Sequence, residues 1–258
     1  MDFYTDVSVL PRARYLQLVT SLKLLDPAII RSNEPEEVLT FTYREPLEER
    51  FIIPWRKVKA KLRRLIAERG RDLGYGKDCF LKESLCMKCP TCLLFGGTGE
   101  TSSSKVKYNL LSRVMGETFI SRTKNIEPLD YTANAVGEVK HTTGQALMTL
   151  ITVPADTEFI GVITLKDPTP EMASLLVDGI ERFTRIGARS VEWGRCKMDI
   201  LGGGIFNHER FSAYELLIGN GLENVPEWKM ELPSVEEAFN KLQEQTDELV
   251  KEIEKSGD

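Results

Sequence analysis

The stretch that decides the fold is PWRKVKAKLRRLIAERG, residues 54–70. Its apolar residues recur at i, i+4, i+7 and i+8, namely Val58, Leu62, Leu65 and Ile66. This spacing predicts an amphipathic helix over residues 55–69 that packs on a core. Pro54 is compatible with a helix start at this point, because the first N–H groups of a helix have no intrahelical partner.

Alternating apolar and polar residues on both sides of this helix predict strands. The predicted strands cover residues 14–25, 38–43, 114–123, 146–153, 158–165 and 191–201. A second helix is expected from the N-cap Thr169 to near Gly187, and a third over about 234–255. We expect the glycines at 202–204 to end the last strand. Without insertions the order is strand, helix, strand, strand, helix, strand. This order predicts an α+β fold with an RNA-recognition-like (ferredoxin-like βαββαβ) core, an antiparallel sheet covered on one face by two helices.

Charge is segregated along the 258 residues, whose net charge is −5. Residues 55–124 hold sixteen Lys or Arg against six acidic residues, whereas residues 221–258 hold four against eleven. A local basic surface is therefore available in spite of the acidic total.

The predicted basic helix has a cationic strip separate from its apolar face. Arg56, Lys59 and Arg63 follow one another at i, i+3 and i+7, and Lys57, Lys61 and Arg64 widen the strip. No acidic residue precedes Glu68 to neutralise them within a helical turn. Unpaired like charges destabilise a helix, so the pattern favours a polyanion as partner.

Four of the five cysteines are crowded together, in the pattern Cys79-x6-Cys86-x2-Cys89-x2-Cys92. Thiolates two residues apart can turn inward on one tight loop and bind a tetrahedral ion, usually Zn2+. A site with four protein ligands leaves no position open for water, so we expect a structural metal. His141 is the alternative to Cys79 as the fourth ligand.

No run of about 18 apolar residues indicates a membrane span, and the N-terminal residues do not resemble a secretory signal. We expect a cytoplasmic protein with no membrane partner. We expect a single core over residues 1–258 that carries three additions. These are a zinc-binding insertion and flexible loop at 70–110, a hairpin insertion at 124–157 and an acidic C-terminal helical segment at 221–258.

Three motifs resemble the repeat-associated (RAMP) superfamily of CRISPR proteins. The residues FIIPWRKVKAKLRR (51–64) resemble its IPGSSLKGxLR helix, CPTCLLFGG (89–97) its CxxCxLFG element, and residues 141–165 its TG-hairpin. With TRIGARSVEWGR (184–195), the chain most resembles the backbone subunit of type I-D interference complexes.

The resemblance implies a non-catalytic subunit that polymerises along a single-stranded CRISPR RNA and presents it to target DNA. Its partners would be that RNA, further copies of the chain and the other subunits of the complex. In the family the Lys and Arg of the motif helix approach the phosphates of the guide, which by position are Lys59 and Arg63. Trp55-Arg56-Lys57 stands where the family has Gly-Ser-Ser.

The candidate RNA-binding residues are Arg31, Trp55, Arg56, Lys57, Lys59, Arg63, Lys105, Lys107, Arg122, Lys124 and Arg195. Trp55, Tyr108 or Tyr131 could stack on bases, and Trp55 and Tyr131 fit a place in the core equally well. One alternative is a metal-dependent or repeat-processing endoribonuclease of the same superfamily, for which Asp26 is the weak candidate residue. Another is an adaptor whose basic helix docks an acidic partner protein or the acidic tail of a neighbouring copy.

Overall fold

The computed structural model describes residues 1–31, 40–41, 46–47, 49–102, 105–124, 129–136, 143–219 and 221–256. Its strands are β1 (Tyr15–Leu24), β2 (Thr40–Phe41), β3 (Arg50–Ile53), β4 (Val114–Gly116), β5 (Phe119–Ser121), β6 (Leu129–Val136), β7 (Thr143–Thr152), β8 (Glu158–Lys166) and β9 (Cys196–Phe206). Its α-helices are α1 (Trp55–Asp72), α2 (Pro90–Phe95), α3 (Pro170–Glu181), α4 (Ala213–Leu217) and α5 (Val235–Ser256). None of the described helices is both long and apolar enough to span a membrane.

Strand β1 lies between β8 and the edge strand β9 in a seven-stranded sheet with the order β2-β3-β5-β8-β1-β9, in which β4 also pairs with β8. Both neighbours of β1 run antiparallel to it. Strands β4 and β5 pair with consecutive parts of β8, so the predicted strand 114–123 is one strand interrupted at Glu117 and Thr118. The predicted order of elements is therefore found as β1, α1, β4–β5, β8, α3, β9. Strands β6 and β7 form a separate antiparallel pair.

The main core lies between this sheet and the helices. Val58, Leu62, Leu65 and Ile66 of α1 are buried, as the periodicity predicts. Helix α3 crosses α1 at Gly179, where an added Cβ would lie 3.1 Å from Cγ1 of Ile66. Helix α5 packs on both: its Phe239 stacks on Tyr75 at 5.4 Å and touches Gly70 at the end of α1. A smaller apolar cluster, which includes Leu216 of α4, covers the opposite face of the sheet.

Three boundaries differ from the predictions by several residues. Helix α3 ends at Glu181 rather than near Gly187, and β9 begins only at Cys196. The triple glycine does not end β9, because Gly202–Gly204 pair with Val19, Leu18 and Gln17 of β1. A Cβ at Gly203 would lie 2.4 Å from the carbonyl oxygen of Gln17. Glycine is thus used here for a close approach of two backbones.

Candidate nucleic-acid interface and metal centre

The six cations of helix α1 lie outside its buried apolar face. Arg56 and Arg64 are exposed, whereas Lys57, Lys59, Lys61 and Arg63 are partly buried. Within the ranges that the structure describes, no carboxylate forms an ion pair with any of the six. Burial and the charge of Arg56 lower the pKa of Lys57, and burial and the charge of Arg63 lower the pKa of Lys59. The helix therefore carries positive charge that an external anion would stabilise.

The two motif residues, Lys59 and Arg63, lean on the segments that follow the cysteines. Nζ of Lys59 donates to Oγ of Ser112 at 2.8 Å. The Arg63 guanidinium donates to the carbonyl oxygen of Gly96 at 3.0 Å and lies 3.9 Å from Sγ of Cys92. Arg63 therefore links the basic helix to the cysteine cluster, a contact that the sequence motif does not reveal.

Trp55 opens α1 and is partly buried against the main core. Its indole ring lies flat on Gly116 of β4, where an added Cβ would be 2.8 Å from ring carbons. Tyr108 is also partly buried, and its hydroxyl donates to the carbonyl oxygen of Met87 at 3.3 Å. Both aromatic side chains thus have packing roles. The side chain of Tyr131 lies outside the described residues.

The remaining candidate cations lie on several elements. Lys105, Lys107, Arg122, Lys124 and Arg195 are exposed, and Arg31 is partly buried. Arg122 pairs with Glu158 at 3.1 Å. An exposed pair of this kind contributes only about 0–1 kcal/mol, so a phosphate could replace the carboxylate. These candidate cations outside α1 therefore do not lie together on one helix.

The four predicted cysteine ligands come together in space. Their sulfur atoms all lie within 4.8 Å of one another, and Sγ of Cys79 is 3.4 Å from Sγ of Cys92. Cys89 is the N-cap of α2, and Cys92 lies in its first turn. Gly76, with φ +60°, allows the chain to turn over the Cys89 sulfur, 3.3 Å from where a Cβ would be. The cluster could therefore hold a metal ion.

The chemistry of the four thiols fits a zinc ion. Tetrahedral Zn–S bonds of about 2.3 Å place sulfur atoms about 3.8 Å apart, close to the spacing found. Hydrogen bonding to Cys79 and Cys86 raises the pKa of both Cys89 and Cys92, whereas hydrogen bonding to Cys79 lowers the pKa of Cys86. Four thiolates cannot therefore ionise together unless a cation compensates their charge.

Two other residues of the predicted sites, His141 and Asp26, are not among the clustered cysteines. His141, the alternative ligand, lies outside the described residues, so the gathering of Cys79 with the other three is what supports Cys79. Oδ1 of Asp26 accepts the backbone N–H of Arg195 at 2.5 Å and so fixes the start of β9. The fifth cysteine, Cys196, is buried in the core, and burial raises its pKa to about 12.

Sequence reasoning missed the cleft between α1 and the cysteine segment. Arg63, Arg64 and Arg71 line one wall of this cleft, and Lys82 lines the other. At about 100° per residue, Arg56, Arg63, Arg64 and Arg71 fall within a sector of roughly 100° on α1. Extending the cationic periodicity by two turns, to Arg71, would have found the helical wall of this cleft.

No curated protein has a sequence that matches this chain significantly. Among solved structures, Thermofilum pendens Csc2 is similar in fold, with a TM-score of 0.60 and 21% identity over 93% of this chain and 78% of that chain. A chain of a type IV-B CRISPR complex has a TM-score of 0.54 and 14% identity, over 86% of this chain and 96% of that chain. The family model described as "Csc2 Crispr" matches residues 2–257. The chain therefore belongs to the Csc2 CRISPR family.

Proposed function

We propose that this chain is a non-catalytic backbone subunit of a type I-D CRISPR interference complex that binds single-stranded CRISPR RNA. Copies of the subunit polymerise along the guide in the cytoplasm, beside the other subunits, and present its bases to target DNA. The core has the RNA-recognition-like, ferredoxin-like plan, and the segment with the four cysteines (residues 79–97, the cysteine lobe) is held by a structural Zn2+. Membership of the Csc2 family supports a subunit of CRISPR interference complexes.

One observation carries the RNA-binding part of this proposal, the cationic side of α1. Arg56, Lys57 and Lys59 have no ion-pairing carboxylate among the described residues, and the pKa of Lys57 and Lys59 is lowered by burial and by neighbouring positive charge. A phosphate placed there would relieve the repulsion. Cations that bind the sugar-phosphate backbone do so without regard to base sequence, as a guide with a variable spacer requires.

The remaining candidate residues extend this surface. Arg31, Trp55, Arg63, Lys105, Lys107, Arg122, Lys124 and Arg195 supply further phosphate or base contacts in the proposed complex. For Arg63, whose guanidinium already binds Gly96 and approaches Cys92, only part of its five donors is used. It can bind the lobe and a phosphate at the same time.

The test is a charge-reversal variant, Arg56→Glu/Lys59→Glu, titrated with labelled single-stranded RNA at several salt concentrations. Each phosphate contact of a single strand contributes about −0.7 to the slope of log K against log salt. Loss of two contacts should therefore weaken binding by about 25-fold at 0.1 M salt and reduce the slope by about 1.4. Wild-type affinity in this variant would refute the proposed surface.

The matched control is Lys251→Glu/Lys255→Glu, which makes the same charge change on exposed positions of α5. It should retain the wild-type salt dependence, and both variants should retain the far-UV circular dichroism spectrum of the wild type. Equal loss of binding in the two variants would show that only net charge matters.

The rival function, a metal-dependent endoribonuclease, makes a different prediction. Incubation of labelled RNA with the protein and Mg2+ would give discrete cleavage that Asp26→Ala abolishes. The hydrogen bond from the Arg195 N–H to Asp26 favours a structural role for this carboxylate, so we expect intact RNA.

A further inference from the structure

A second basic surface shares Arg63 and Arg64 with the cationic strip and continues into the cleft between α1 and the cysteine lobe. This cleft, called here the lateral groove, has a volume of about 320 Å3. Its helical wall carries Arg64 and Arg71, and its opposite wall is the turn of residues 79–85. The volume is at the lower end of the roughly 300–1,000 Å3 that ligand sites occupy.

The lateral groove is strongly positive. Arg63, Arg64, Arg71 and Lys82 line it, against Glu83 as the acidic residue of its lining. In the portions of the chain that the structure describes, none of Arg64, Arg71 and Lys82 forms an ion pair with a carboxylate. The charge of the groove is therefore available to an anion.

The wall opposite α1 presents an aromatic ring. Phe80 is 47% exposed and its neighbour Leu81 is 54% exposed. The turn that carries them is fixed by two backbone hydrogen bonds, from Phe80 N to Ser84 O at 2.7 Å and from Ser84 N to Phe80 O at 2.9 Å. Phe80 is thus an exposed aromatic residue on a hydrogen-bonded turn, and it lines the same cleft as the arginines of α1.

We propose that the lateral groove binds a segment of single-stranded nucleic acid, with phosphates on Arg64, Arg71 and Lys82 and a base stacked on Phe80. Cationic tracks interleaved with aromatic platforms are the usual chemistry of single-strand binding. A duplex does not fit this chemistry as well, because its bases are stacked on one another and offer no free face to Phe80. The inference rests on the proposed function, and it adds a contact site beyond Arg56 and Lys59.

The experiment uses the full chain and two groove variants, Arg64→Glu/Arg71→Glu and Phe80→Ala. Single-stranded RNA, single-stranded DNA and duplex DNA of matched length are titrated by fluorescence anisotropy at several salt concentrations. The double variant should weaken single-strand binding by at least about 25-fold at 0.1 M salt and flatten its salt slope. Phe80→Ala should weaken it by about 5-fold or more at every salt concentration, because stacking is independent of counterion release.

Two comparisons separate this inference from the proposed function. If Arg56→Glu/Lys59→Glu loses RNA binding while both groove variants bind like the wild type, the groove site is wrong and the proposed function stands. If no variant changes binding to any nucleic acid, both are wrong. Zinc content and circular dichroism of each variant verify that the lobe is folded.

The two strands serve as separate arms of the titration. Loss of RNA binding alone assigns the groove to the guide, loss of DNA binding alone assigns it to a target strand, and either result supports the inference. Groove variants that lose only their affinity for duplex DNA would overturn the inference. So would an acidic peptide that binds in the groove of the wild type while the groove variants keep their affinity for single strands.

Discussion

Replacement of Arg63 by alanine should weaken zinc binding at the proposed metal centre. The guanidinium joins α1 to the cysteine lobe through Gly96, and it lies 3.9 Å from Sγ of Cys92. When Zn2+ is bound, four thiolates give the centre a net negative charge, which the arginine partly balances. Arg63 therefore serves as a hydrogen-bond partner of a metal ligand, as the second layer around a metal site often does.

The size of the effect follows from these contacts. A hydrogen bond from a charged group to a buried carbonyl such as that of Gly96 contributes about 1.5–3 kcal/mol, and truncation leaves the carbonyl without this partner. The Phe95 ring, 6.0 Å away, is at the limit of a cation–π contact and adds little. We expect Arg63→Ala to lower the free energy of unfolding by about 2 kcal/mol and zinc affinity by about 10-fold.

Zinc affinity is measured by competition with a chromophoric chelator, and unfolding is followed by tryptophan fluorescence in urea. Arg64→Ala is the matched control, because this neighbour is exposed and binds neither Gly96 nor Cys92. If Arg63→Ala kept the zinc affinity and stability of Arg64→Ala and lost only RNA affinity, the linking role of Arg63 would be refuted. Arg63→Lys, which keeps the charge without the forked geometry, should be intermediate.

Three further predictions concern the metal, a buried acid and a tight packing contact. Purified protein should contain about one zinc per chain by elemental analysis, and a strong chelator at neutral pH should unfold the cysteine lobe, whereas a metal-free and fully folded product would contradict the site. Burial raises the pKa of Glu117 from 4.5 to about 7, so its ionised form is disfavoured in the folded state and stability should fall by about 3 kcal/mol as the pH rises from 4.5 through 7. Glu117→Gln should remove most of this fall in the free energy of unfolding, measured in urea at pH 5 and pH 8. If the variant kept the pH profile of the wild type, the assignment of the fall to Glu117 would be wrong. Gly161→Ala should destabilise the fold by about 1–3 kcal/mol in urea unfolding, because its Cβ would lie 2.4 Å from the buried Phe119 ring, and unaltered stability would show that the ring moves easily.

Local sequence patterns predicted the helices that carry a periodic apolar face or a clear N-cap. The apolar spacing of α1 and the N-cap of α3 are found as predicted, since Oγ1 of Thr169 accepts the N–H of Met172 at 3.3 Å. The predicted CRISPR resemblance agrees with membership of the Csc2 family. The predicted ends of α3 and β9 were wrong. Those of β9 depend on its pairing with β1, which is distant in the chain. Gly202–Gly204 look like a breaker locally, yet they pair with β1.

By itself the sequence determined the sign of the charge on α1 and the identity of the four cysteines, because both depend on residues that are neighbours in the chain. Only the tertiary structure decided where those charges point. Packing of the cysteine lobe beside α1 turns Arg63 toward Cys92 and places Phe80 opposite Arg64 and Arg71. These residues are brought together by burial of the lobe on the core, which no local pattern encodes.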